Sequence, residues 1–139
     1  MSVKQNLELV DNFIRTLDAR DWESLAGFLA ESVECSFPGM EPSALRPNDL
    51  VEAWKAEALA FPDSRREKVL SFGQGDLVCI TLVETGTHFG PYEIGGRTLP
   101  PSGKRFSLRV CGIIRIRGKK ITELHVYYDQ LGVMSQLGV

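Results

Sequence analysis

Ahead of Asp63 the apolar side chains recur at the spacing of helices, and beyond it they alternate. This change of period limits the fold more than any single motif. Leu7, Val10, Phe13, Ile14 and Leu17 make one stripe between Val3 and Asp18, with Ser2 placed to cap the start. Asp21 is a second cap, and Trp22, Leu25, Phe28 and Leu29 repeat the pattern over a shorter helix. Val33 to Phe37 reads as a short strand closed by Pro38-Gly39, and Met40 to Pro47 as a turn-rich loop. Pro47 and Asp49 open a third helix with Leu50, Ala53, Trp54 and Ala58 on its apolar side, stopped near Phe61-Pro62. Glu67 to Phe72, Leu77 to Thr87, Lys104 to Arg117 and Ile121 to Tyr128 then read as strands of a meander. Turns fall at Gly73-Gln74-Gly75 and Gly118-Lys119. Helices first and strands after predict an α+β fold, three N-terminal helices packed on one face of a curved antiparallel sheet.

A chain of 139 residues is one domain, expected to span 1–139. Its 43% hydrophobic and 24% charged residues belong to an ordinary soluble protein. A net charge of -2 gives no reason to expect nucleic acid or an anionic membrane as partner. The cluster Lys104, Arg105, Arg109, Arg115, Arg117, Lys119 and Lys120 reads as a solvated, charge-guarded hairpin. No apolar run reaches the ~20 residues that cross a bilayer, and the N-terminus has no signal-peptide core, so a cytoplasmic location is expected. Cys35, Cys79 and Cys111 are scattered within strand patterns and are expected as buried, reduced thiols.

The chemistry is expected at the end of the chain. Alternation places Glu123, His125, Tyr127 and Asp129 on one face of the last strand and Thr122, Leu124, Val126 and Tyr128 on the other. Asp129 stands where the strand gives way to a short helical pattern, and two roles fit it: an inward acid/base facing an apolar space, or a cap on the following turn. Phe13, Leu17, Trp54, Phe106 and Leu108 are expected to line that space, with Phe37 also on the substrate wall. A two-residue turn before Ile121 would give Leu108, Val110 and Gly112 the face of Asp129, whereas a three-residue turn would bring Arg109 there. The first is expected, since a buried ladder of arginines lacks partners. His125 and Tyr127 are candidate polarising or binding groups, and His88, beside flexible glycines, is a candidate at the pocket mouth. Two histidines on separate strands, without carboxylates at ligand spacing, make no metal set.

The stretches GTHFG, PPSGK, GKKITE and YYDQLG fall in order between Gly86 and Gly138, and FLAESVECSFPG and AWKAEALAFPD precede them. In this order they resemble the SnoaL-like polyketide cyclases, within the nuclear transport factor 2-like (NTF2-like) superfamily. The resemblance implies a cone-shaped fold with a pocket between helices and sheet, and a homodimer through the sheet's outer face. It also implies intramolecular aldol-type ring closure of a small hydrophobic carbonyl ligand, with Asp129 as acid/base and neither metal nor cofactor. His125 departs from the tryptophan often found at its position in the family. Isomerisation or epoxide hydrolysis on the same fold, or a non-catalytic binding or dimerisation module, are the alternative functions.

Overall fold

Ser2 opens helix α1 (Val3–Asp18) with a reciprocal cap: its hydroxyl accepts from the Gln5 amide at 3.1 Å, and the Gln5 side chain accepts from the Ser2 amide at 2.9 Å. A computed structural model describes the whole chain, Met1 to Val139. Asp21 caps α2 (Trp22–Ala26), and Pro47 begins α3 (Pro47–Ala60). Helix α2 is shorter than the apolar spacing predicts, because Leu29 already belongs to a strand, β1 (Leu29–Ser36). The loop expected over Met40 to Pro47 contains a brief strand, β2 (Ser43–Leu45), that pairs with β1.

Four long strands follow α3: β3 (Arg65–Gln74), β4 (Leu77–Thr87), β7 (Arg105–Arg117) and β8 (Lys120–Tyr128). Between β4 and β7 stands a small hairpin of β5 (Tyr92–Ile94) and β6 (Arg97–Leu99), and α4 (Gln130–Gln136) closes the chain. The main sheet runs β2-β1-β8-β7-β4-β3, antiparallel except where β1 lies parallel to β8. Along β4 burial alternates, with Val78, Ile80 and Leu82 turned to the core, as expected for a sheet covered on one face.

The turn between β7 and β8 has two residues, Gly118 and Lys119, both at positive φ, which matches the twist of a tight hairpin. One rung later the ladder slips: Ile116 pairs with Ile121, but Arg115 pairs with Glu123. Thr122 is the extra residue of a β-bulge, and it lets Ile121 and Leu124, three positions apart, both enter the core.

Two apolar clusters form the core. One joins α1, α2 and α3 to the middle of the sheet through Val10, Phe13, Leu25, Leu50, Ile80 and Ile114. The other joins the end of α3, the β5–β6 hairpin, β7 and α4 through Phe61, Ile94, Leu99, Phe106 and Val133. All three cysteines are free thiols; Cys35 is buried, while Cys79 and Cys111 are half-buried with their sulfurs 3.9 Å apart. No helix is long and apolar enough to cross a membrane.

Candidate active site

Where the two clusters meet, the core leaves a cavity of about 140 Å³. Phe13 and Leu17 of α1 and Trp54 of α3 wall one side; Phe106, Leu108 and Val110 of β7 form part of the sheet side. Leu124, Val126 and Tyr128 of β8 complete that floor, and Tyr92 reaches in from the small hairpin. Phe37 lines the cavity as well.

Charge enters this apolar space at one place. Glu84 shares the inward face of β4 with Ile80 and Leu82, and its register partner on β3 is Arg66. Arg66 Nη2 lies 2.6 Å from Glu84 Oε1 and 3.2 Å from Glu57 Oε1. On the far side of the guanidinium, Nη1 is 3.0 Å from Asp18 Oδ1, and Asp18 Oδ2 accepts from the Arg66 backbone amide. Three carboxyl groups thus surround one cation. Burial, reinforced by the charge of Glu57, pushes the Glu84 carboxyl up to about 8, even though Arg66 pulls the other way. Desolvation wins because Glu84 is 9% exposed and Arg66 is divided among three acids. Burial likewise raises the phenol of Tyr128 to about 12 and that of Tyr92 further, so both phenols stay protonated as hydrogen-bond donors beside the carboxyl groups. The arrangement offers a proton near neutrality, a second carboxylate beside it, and phenolic donors in apolar surroundings.

The profile of the SnoaL-like polyketide cyclase family matches residues 8–137. The chain belongs to this family. TsrD from Streptomyces laurentii superposes with a TM-score of 0.82 at 22% identity, covering 99% of this chain and 98% of that one. IdmH from Streptomyces antibioticus, a candidate polyketide cyclase, gives 0.80 at 23% identity over 97% and 99% of the two chains. AclR from Streptomyces galilaeus, a candidate hydroxylase, gives 0.82 at 20% identity over 99% of this chain and 83% of its own. At these identities the likeness is one of fold. No curated protein matches this chain in sequence.

Within this SnoaL-like frame the apolar wall lies where the sequence places it: Phe13, Leu17, Phe37, Trp54, Phe106 and Leu108 all line the cavity. The polar candidates do not. The bulge at Thr122 turns Leu124, Val126 and Tyr128 inward, so His125 and Tyr127 occupy the opposite, outer face, and Tyr127 is 54% exposed. The two-residue turn is present, but the slip after it gives Leu108, Val110 and Gly112 the face of Tyr128 instead of Asp129.

Asp129 is exposed, and its Oδ1 accepts from the Gly132 amide at 2.8 Å as the N-cap of α4. His125 is held outside by Ser36 Oγ at 2.7 Å from Nδ1 and by Glu123 Oε1 at 3.1 Å from Nε2. Glu123 continues to Arg115, and these contacts hold its carboxyl below the usual range, the His125 hydrogen bond most of all.

His88 does not stand at a pocket mouth. It is 1% exposed and sits behind the wall, its ring 5.5 Å from Phe61 and its Nδ1 2.9 Å from Ser102 Oγ. Glu84, Arg66 and Glu57 are the charged groups that the sequence reading missed. The signal for Glu84 was present: Val78, Ile80, Leu82 and Glu84 share one register, so the acid continues the buried face of an alternating strand.

Proposed function

We propose that this chain is an acid/base enzyme acting on a hydrophobic carbonyl compound, promoting enolisation and the aldol-type bond formation that follows. Glu84 is the proton carrier in this reading. The observation behind it is the placement of Glu84: its carboxyl group is buried in an apolar cavity, 2.6 Å from a guanidinium that it shares with Glu57, and that burial raises it. The Glu57 carboxylate, paired with Arg66, takes a proton from the carbon next to the ligand carbonyl while Glu84 gives its own to the carbonyl oxygen. A neutral enol results, with the two acids exchanged in role. The enol carbon then attacks a second carbonyl of the same ligand, and its π electrons form the new carbon–carbon bond. Glu57 returns its proton to the new alkoxide, and Glu84 recovers one from the enol hydroxyl. Tyr128 and Tyr92 are donors for either oxygen.

Cyclohexanone in heavy water tests the first step, because enolisation exchanges its α-protons and magnetic resonance reads the exchange. Glu84→Gln is expected to lower the protein-catalysed rate about a hundredfold. Wild-type exchange in that variant sinks the proposal. If Asp129→Asn loses the activity while Glu84→Gln keeps it, the chemistry returns to the end of β8.

The proposed reading includes a homodimer through the outer face of the sheet. Phe72, Ile113 and Tyr127 are exposed there, on β3, β7 and β8. A monomeric mass by light scattering at micromolar concentration would count against it.

A further inference from the structure

Of the three acids around Arg66, two line the cavity and one does not. Glu57 and Glu84 face the apolar space and share Arg66 Nη2, at 3.2 and 2.6 Å. Asp18, the last residue of α1, takes Nη1 at 3.0 Å from outside the cavity. A second contact fixes the same side chain, because Asp18 Oδ2 accepts from the Arg66 backbone amide at 3.0 Å. The backbone of Asp18 is tied down as well: Arg20 donates to its carbonyl and, through Nη2, to the carbonyls of Pro62 and Ser64 just before β3.

An acid is poorly suited to this end of a helix. The last turn of α1 carries the negative pole of the helix dipole, which favours a cation there. Asp18 is therefore explained by its partner and not by its helix.

Its effect on the cavity follows from the charges. With Asp18 ionised, Arg66 is already neutralised once, and the Glu57 carboxylate leaves the group negative before Glu84 ionises at all. Without that outer charge, Arg66 and Glu57 would balance each other, and Glu84 could ionise beside a neutral pair. The other titratable groups at this wall, the phenols of Tyr92 and Tyr128, stay protonated and add no charge. Behind burial and the charge of Glu57, the charge of Asp18 is accordingly one of the causes that raise the Glu84 carboxyl.

We infer that Asp18 is a positioning residue for the reaction proposed above, and the inference rests on Glu84 being the proton carrier: by occupying the outer side of Arg66, Asp18 keeps a proton on Glu84 and so sets the pH up to which the cavity has one to give.

Asp18→Asn removes the charge and keeps the size and one acceptor oxygen. In the full chain, with isotope-labelled glutamate carboxyl groups, magnetic resonance reads the titration of Glu84 directly, and Glu84→Gln identifies its signal. The midpoint is expected at about 8 in the wild type and about one pH unit lower in Asp18→Asn. Asp18→Glu restores the charge and is expected to bring the midpoint most of the way back. The rate of cyclohexanone exchange, which falls as Glu84 loses its proton, should fall at correspondingly lower pH in Asp18→Asn. Should that variant fail to fold, Asp18→Ser is expected to fold and to move the midpoint in the same direction. An unchanged midpoint in a folded neutral variant overturns the inference, as does one that Asp18→Glu fails to restore, since a role in packing alone would alter stability and leave the titration where it is. The titration needs no turnover, so it separates the two readings. A midpoint that moves in a chain that exchanges no cyclohexanone removes the proton carrier and leaves the hold of Asp18 over Glu84 standing.

Discussion

Glu84 and Arg66 are register partners on β4 and β3, with Oε1 2.6 Å from Nη2, and the same guanidinium also meets Asp18 and Glu57. One cation cannot balance three acids, so a proton stays on Glu84, the most buried of them. Glu84 ordinarily ionises near 4.5 and is raised to about 8 in the fold. The folded chain therefore holds a proton that the unfolded chain releases, throughout the interval between those values. Stability from this group is complete below pH 4.5 and is lost as pH rises through about 8. The expected slope is at most about 1.4 kcal/mol per pH unit, and Glu84→Gln is expected to flatten it. Urea denaturation at several pH values across that window reads the effect, and an unchanged slope in the variant would refute it.

Arg66 has the opposite role, since its side chain is 10% exposed and it is the cation shared by Asp18, Glu57 and Glu84. Arg66→Met removes the charge while keeping much of the volume, and it leaves carboxylates facing one another. The expected loss at neutral pH is about 3–5 kcal/mol, as for other broken buried pairs. In acid the loss should shrink, because the abandoned carboxyl groups can take up protons. A loss independent of pH would mean that Arg66 matters for packing alone.

The helices, the order of the long strands and the apolar wall were legible because burial enforces a period that the sequence has to obey. Phe13 and Trp54 are inward for the same reason that they recur at helical spacing. The face of β8 was not legible by alternation, because a single unpaired residue at Thr122 reverses everything after it. Its trace in the sequence is slight: Ile121 and Leu124 are both apolar and three apart, which strict alternation does not allow. The parallel pairing of β1 with β8 left no local signal, whereas the small β5–β6 hairpin carries one in Gly95-Gly96, two adjacent glycines at positive φ between its strands. Glu84 is the converse case. A lone acid on an apolar face is visible there, while Asp129 at the end of β8 is a carboxylate that a helix cap also requires.

That second role of Asp129 gives a separate expectation. Its Oδ1 accepts from the Gly132 amide, and α4 places Val133 against the cavity and Leu137 in the neighbouring core. Asp129→Ala is expected to cost about 0.5–2 kcal/mol of stability by loss of the cap. Because the carboxylate is exposed and outside the cavity, the rate of cyclohexanone exchange per folded molecule should stay unchanged. Thermal unfolding and the exchange assay on one preparation separate the two effects.

The approach to the small hairpin depends on a glycine. The amides of Phe89 and Gly90 both donate to the Ala60 carbonyl at the end of α3, each at 3.0 Å. A Cβ on Gly90 would lie 2.1 Å from the Leu59 carbonyl oxygen, a backbone atom with no room to yield. Gly90→Ala must therefore lift the loop from α3 and carry Tyr92 away from Phe61, whose rings are now 4.8 Å apart at their centres. The expected loss is about 1–3 kcal/mol or more, together with slower cyclohexanone exchange as the aromatic wall opens. Gly95→Ala is the comparison, because nothing lies within 4 Å of its Cβ and only its φ of 58° is unfavourable. That variant should lose about 1 kcal/mol and exchange cyclohexanone at the normal rate. Equal losses in the two variants would show that backbone conformation governs this loop, whereas a much larger one at Gly90 assigns its position to the close approach of α3.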